Sequence, residues 1–192
     1  MIAEQRQYKC LKEQIFAHHV YTLVPIRSHD RYLIRKWRNE QIDILRQKEP
    51  LSAADQDRYF ESVIAPSFRA KQPEQILFSM TKSHDLVGYG GLVHINWSDK
   101  NAEISFLLDT AYNSSPENFK RLWTVYLELL PQIAFDQLNF KKIYTYAYET
   151  RAILFPILEE NGFVEEARLK QHALVNGEYK DVIIHSLFNP KL

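Results

Sequence analysis

Glu103 stands in a short run, Ala102-Glu-Ile-Ser-Phe-Leu-Leu108, whose other members are mostly apolar. A period of two puts Glu103, Ser105 and Leu107 on one face of a strand and Ile104, Phe106 and Leu108 on the other. A carboxylate flanked in this way has restricted solvation and a raised pKa, which suits a general base taking a proton directly or through water. The competing reading is a strand carboxylate paired with a neighbouring Lys or Arg. His94, at the end of the preceding run, is a second candidate base because imidazole titrates near neutrality; it also reads as a polar residue on the rim. Tyr144, Tyr146 and Tyr148 recur at every second position of one strand and read as packing, with Tyr148 or Tyr146 as candidate proton donors. Trp37, Arg38 and Asn39 are candidates for an acceptor pocket, the indole stacking on a sugar or base and the guanidinium gripping phosphate bidentately. Trp37 also keeps helical spacing from Leu33, so a place in the core is its other reading.

Other patterns carry no chemistry. Gly88-Tyr-Gly-Gly91 lies inside a strand, where glycines mark a bulge or a close backbone approach, not a phosphate loop. The one cysteine, Cys10, makes an internal disulfide and a multi-cysteine zinc set impossible. Of the seven histidines, His18 and His19 are adjacent and point in two directions, so no metal is predicted. Lys and Arg balance Asp and Glu at 24 each, which gives no electrostatic reason to expect nucleic acid or an anionic membrane as partner. Met1 to Lys12 lacks an apolar signal-like stretch and no later run is long enough to span a bilayer, so the expected location is the cytoplasm.

These residues need a mixed α and β frame. Tyr21 to Ile26 reads as a strand. Ser28 to Asp30 then offers an N-cap for a helix turning Tyr32, Leu33, Ile34 and Trp37 inward. Ser52 to Asp55 precedes a second helix with Tyr59, Phe60, Val63 and Ile64 on one face, stopped by Pro66. Ile76 to Met80, Leu86 to Ile95 and Ala102 to Leu108 form an antiparallel meander. Leu122, Val125, Tyr126, Leu129 and Ile133 mark a long helix that Pro131 bends or ends. Lys142 to Tyr148 is a strand, Leu154 to Glu160 a short helix, and Asn176-Gly177 turns a final hairpin between Leu169–Val175 and Asp181–Leu187. No linker or repeat divides the 192 residues, which are expected to form one α+β domain with 1–20 as an N-terminal extension.

That order, together with four local sequences, resembles the GNAT superfamily of N-acetyltransferases. Ala102-Glu-Ile-Ser-Phe106 is similar to its fourth strand, and Leu158-Glu-Glu-Asn-Gly-Phe163 to its closing helix. The tail, Glu165 to His172 and Asn176 to His185, looks like the last hairpin of bacterial nucleotide-linked amino-sugar N-acetyltransferases. Lys36-Trp-Arg-Asn39 resembles an element shared by those enzymes and the ribosomal-protein N-terminal acetyltransferases. The resemblance implies a mixed, mostly antiparallel sheet flanked by helices, and acetyl-CoA as co-substrate. It implies direct transfer to a small amine, with Glu103 or His94 as base and a homodimer formed through strands. It places the pantetheine arm along the strand at Phe106, Leu107 and Leu108, where a main-chain N–H holds the oxyanion. The pyrophosphate falls at the loop before the long helix, where Asn113, Ser114, Ser115, Asn118 and Lys120 are donors. This loop departs from the family: it has no glycine, and Glu117 sits badly beside a phosphate. Leu158 stands where many members carry a Tyr acid, and Arg151 where many carry Asn. Two alternatives follow: acetylation of a protein N-terminus, or a catalytically inactive binding module of the same fold.

Overall fold

The computed structural model describes residues 6–192. The alternating runs become eight strands of one sheet: β1 (Phe16–His18), β2 (Tyr21–Pro25), β3 (Ile76–Lys82), β4 (Asp85–Asn96), β5 (Asn101–Leu108), β6 (Lys142–Tyr148), β7 (Val164–Val175) and β8 (Glu178–Phe188). Their order across the sheet is β1-β2-β3-β4-β5-β6-β8-β7. Every neighbouring pair is antiparallel except β5 and β6. That parallel pair is joined only at Asn101↔Lys142, Ala102↔Ile143 and Glu103↔Tyr144. From Ile104 and Thr145 onward the two strands part. The mixed, mostly antiparallel architecture is the one expected.

The longer helices that complete the frame are α1 (Arg31–Glu40), α2 (Ala53–Tyr59), α3 (Pro116–Pro131) and α4 (Leu154–Glu160), with a short helical turn at Thr110–Asn113. Ser52 caps α2 in a reciprocal box with Asp55, which satisfies N–H groups that the first turn leaves free. Phe106 of β5 stacks on Tyr126 of α3 at 3.8 Å and meets Trp123 edge-on at 5.0 Å. The even-numbered face of β5 is therefore fixed against α3, which leaves Glu103 on the other face.

Several elements differ from the sequence reading. Pro66 does not stop the second helix at its predecessor: α2 runs on through a π-helical turn, Phe60–Ile64, and Pro66 lies inside the final turn, Ala65–Ser67. The wider π turn relieves the i−4 contact that makes proline a helix breaker. Pro131 ends α3, and the chain continues as another π-helical turn, Gln132–Gln137. Tyr32 and Leu33 are exposed on α1, whereas Ile34 and Trp37 are buried, because a ten-residue helix on a surface buries one stripe only. Asp30 makes no cap bond and instead pairs with Arg27 and accepts from the Ser79 hydroxyl at 2.7 Å. Within the stretch expected as an extension, Tyr8, Leu11 and Phe16 join the core, and the Tyr8 hydroxyl donates to Leu77 O and accepts from Leu77 N.

The glycines of β4 do as their position in a strand predicts. A Cβ on Gly90 would lie 2.0 Å from Ser105 O, and one on Gly91 1.9 Å from Ile76 O. Both neighbours of β4 approach too closely for a side chain. Two residues later the β4–β5 register slips between Val93 and Asn96, and His94 takes φ 49°. This bulge begins beside Glu103, the partner of Val93. No helix among the described residues is long and apolar enough to cross a membrane.

Candidate functional site

The parting of β5 and β6 opens a cleft of about 800 Å³. Its walls are the ends of those strands, the bulge of β4, the segment joining α1 to α2, and Trp123 of α3. Which main-chain groups face the gap follows from their partners. Lys100 O accepts from Lys141 N across to β6, while Ser105 O accepts from the Tyr126 hydroxyl together with Gly91 O of β4. Along a strand these directions alternate. The C=O of Ile104 and the N–H and C=O of Phe106 thus turn toward β6 beyond Glu103↔Tyr144, the last pair of the ladder, where the strand partner has moved away.

Glu103 sits at the apex of the parting and is 6% exposed. Burial pushes its carboxyl above the usual range, and Arg46 and then His94 oppose that rise. Arg46 Nη2 donates directly to Glu103 Oε1, and His94 Nε2 lies 3.9 Å from Oε2. The two competing sequence readings of Glu103 therefore coexist: a desolvated carboxylate in a cleft, and a carboxylate with an arginine partner. His94 is mostly exposed and lines the same cleft. Tyr148 also lines it, buried, with its hydroxyl donating to Leu45 O at 3.3 Å and its pKa raised mainly by burial. Tyr146 presents its ring to Arg46, whose guanidinium carbon lies 4.5 Å from the ring centroid.

The Trp37-Arg38-Asn39 set is not brought to the cleft as a unit. Trp37 is buried in the core. Asn39 is occupied on both sides of its amide: Nδ2 donates to Leu51 O at 3.0 Å, and Oδ1 accepts from Leu51 N and Gln47 Nε2. It holds the segment between α1 and α2. Only Arg38 lines the cleft, donating to the Tyr89 hydroxyl at 2.8 Å and to Gln47 Oε1 at 3.0 Å.

The donors of the expected cofactor loop are likewise engaged within the protein, and none of them lines the cleft. Asn113 Nδ2 donates to Gln41 Oε1 at 2.7 Å, and the Ser114 hydroxyl to Ala111 O at 3.1 Å. Ser115 caps α3 by accepting from Asn118 N, and Lys120 is paired with Glu160. Pro116 has no N–H and the Asn118 N–H is taken, so the N-terminus of α3 offers fewer donors to an anion than a glycine-rich turn would. Phe106, Leu107 and Leu108 are all buried; Phe106 lines the cleft, and Leu108 O accepts from Gln41 Nε2 at 2.9 Å.

An acetyltransferase (GNAT) domain profile matches residues 23–184. The chain belongs to the GNAT acetyltransferase family. No curated protein sequence matches it at a significant level. Among solved structures, the spermidine N-acetyltransferase of Vibrio cholerae in complex with CoA and spermine is similar in fold, with TM-score 0.77 and 21% identity over 91% of this chain and 98% of that one. The dodecameric structure of the V. cholerae enzyme in an intermediate state gives TM-score 0.68 and 22% identity over 91% and 96%. At such identity the likeness is one of fold.

As a GNAT protein, the chain has two cleft residues whose roles its sequence did not announce. Arg46 comes from a polar stretch with no periodicity, so nothing in the pattern aims it at Glu103. Arg151 follows the end of β6, lines the cleft and lies 5.4 Å over the Trp123 ring. It makes no hydrogen bond or ion pair with the described residues, and burial lowers its guanidinium to about 10. Its one sequence signal is the count back from Gly162 that sets it at the family's Asn position. Among the described residues no group of three or more His, Cys, Asp or Glu is placed to hold a metal ion.

Proposed function

We propose that this GNAT acetyltransferase moves the acetyl group of acetyl-CoA to the amine of a small molecule by direct transfer, and that the acceptor is a nucleotide-activated amino sugar. The observation that carries the reading is Glu103: a buried carboxylate of raised pKa in the wall of a cleft, at the point where β5 and β6 part. The parting suits an extended pantetheine arm, because the Ile104 C=O and the N–H and C=O of Phe106 turn into it without a strand partner. Acetyl-CoA supplies an acyl carbon joined to a thiol leaving group. Glu103 takes a proton from the acceptor nitrogen, the N–C bond forms as the C–S bond breaks, and the thiolate takes a proton from Tyr148 or water. The Phe106 N–H is available to the acyl oxygen as it gains charge.

The guanidinium groups of Arg38 and, once it is released from Glu103, of Arg46 favour an acceptor with phosphate over a polyamine. A nucleotide diphosphate offers guanidinium groups a bidentate partner. Spermidine, the acceptor in the names of the structural neighbours, would bring further ammonium groups toward them. The test is calorimetric titration with acetyl-CoA, followed by release of CoA thiol in the presence of nucleotide-linked amino sugars or spermidine. Binding should stabilise the fold by about 2.7 kcal/mol at a hundredfold excess over Kd. Absence of heat and of thermal stabilisation at millimolar acetyl-CoA sinks the transferase reading; faster turnover of spermidine than of the nucleotide sugars sinks the acceptor.

A further inference from the structure

Glu103 and Arg46 set a problem for the reaction just proposed, since a base cannot serve an acceptor while a guanidinium covers it. The two partners are held very differently. Glu103 is 6% exposed and fixed by strand register opposite Val93. Arg46 lies in a segment without helix or strand, and its side chain is 46% exposed. The segment is held on both sides of Arg46, by the Tyr148 hydroxyl on Leu45 O and by the Gln47 side chain, which accepts from Arg38 and donates to Asn39. The side chain can therefore swing into solvent while the segment stays in place.

The seat it occupies has a recognisable chemistry. One side is a buried carboxylate, the other the face of Tyr146 at 4.5 Å, and a carboxylate with an aromatic face is a receptor for an alkylammonium. A primary amine at neutral pH is mostly in that form, as a lysine side chain is. We infer that Arg46 occupies, on Glu103 and Tyr146, the seat of the acceptor's ammonium, and that binding of acceptor exchanges one cation for the other. This rests on the transferase reading. The exchange leaves the buried carboxylate compensated at each stage, which avoids the cost of an uncovered buried charge. It also gives the seat a direction: the acetylated product is a neutral amide, so Arg46 returns and the product has no charge with which to compete.

The test uses glucosamine, an amine with no anionic group, so that any phosphate contact made by Arg46 does not enter. With acetyl-CoA saturating, Arg46→Gln should lower the KM for glucosamine about fivefold, the scale of a partly exposed ion pair, while Arg46→Lys, which keeps a cation, restores most of the wild-type value. In a Glu103→Gln background, binding of glucosamine measured by calorimetry should no longer respond to Arg46→Gln, because the exchange needs both partners. A KM that is unchanged or raised in Arg46→Gln overturns the inference and leaves Arg46 a plain counter-ion or an acceptor ligand. Calorimetry without acetyl-CoA separates the two claims. Tighter glucosamine binding by Arg46→Gln in an enzyme that turns over no amine would keep the exchange and sink the transferase reading. Equal binding by both proteins would sink the exchange whatever the activity.

Discussion

The wall of the cleft around Glu103 and the loop from Asp109 to Lys120 both hold polar residues, yet the structure uses them in different ways. In the loop, Asn113, Ser114, Ser115 and Lys120 each have a partner within the protein, and none faces the cleft. In the cleft, Glu103 is buried with a raised pKa and Arg151 has no partner among the described residues. A polar side chain marks a binding surface when the fold leaves it short of partners, not when its type is able to bind. The loop's donors tie it to the surrounding protein, whereas in the cleft Arg151 has no partner among the described residues and Glu103 is covered by a half-exposed arginine.

The largest effect should come from Glu103. Glu103→Gln keeps the shape and removes the base, so kcat/KM should fall about 10²- to 10⁴-fold. Its effect on stability has the other sign. A carboxyl whose pKa is raised in the folded state binds more protons folded than unfolded, so stability falls as pH climbs from the unfolded pKa through the folded one. At neutral pH the ionised group thus weakens the fold, and Glu103→Gln should leave the Tm unchanged or raise it by about 1–3 °C. Activity needs the ionised form, so its acid limb lies above the ordinary carboxylate range of about 4.3. A kcat/KM within tenfold of wild type would move the base to His94, and a loss of several degrees would make Glu103 structural.

Arg151 gives a middle-sized effect and tests the same contrast inside the cleft. A half-buried guanidinium without a protein partner opposes folding through its lost hydration, so Arg151→Met should raise the Tm by about 2–4 °C if it relieves about 1 kcal/mol. The same change should weaken acetyl-CoA binding about tenfold, the effect of losing a charged hydrogen bond. Measured together by thermal shift and calorimetry, opposite signs support a cation kept for a ligand. Equal affinity in variant and wild type would leave Arg151 as a packing partner of Trp123.

How much of this was legible follows from whether a residue's position obeys a period. Glu103 was readable because β5 alternates, and the alternation alone assigned its face; the strand limits at Lys142–Tyr148 and the helix Leu154–Glu160 were readable for the same reason. The close approach at Gly90 and Gly91 was readable from glycine inside a strand. Arg46 was not, since its stretch has no period and its partner is 57 residues away. Trp37 and Asn39 were judged by type: an indole and an amide fit a pocket as well as they fit a core and a loop tie, and only tertiary contacts decide. Pro66 misled because a π turn, which leaves no composition signature, accommodates it.

The smallest effect separates the loop from the cleft most sharply. The Ser115 hydroxyl accepts from Asn118 N at the start of α3, and loss of such a cap costs about 1 kcal/mol, which should lower the Tm of Ser115→Ala by about 2–4 °C. If the hydroxyl is engaged only by its own helix, the Kd for acetyl-CoA should stay within about twofold, because a change of that size is well under 1 kcal/mol. Calorimetry on the folded variant at 25 °C reads the Kd apart from the stability change. A tenfold weaker Kd would mean that Ser115 leaves its cap to reach the pyrophosphate when ligand binds. The loop would then hold cofactor after all, and the difference drawn between the two regions would belong to the ligand-free protein alone.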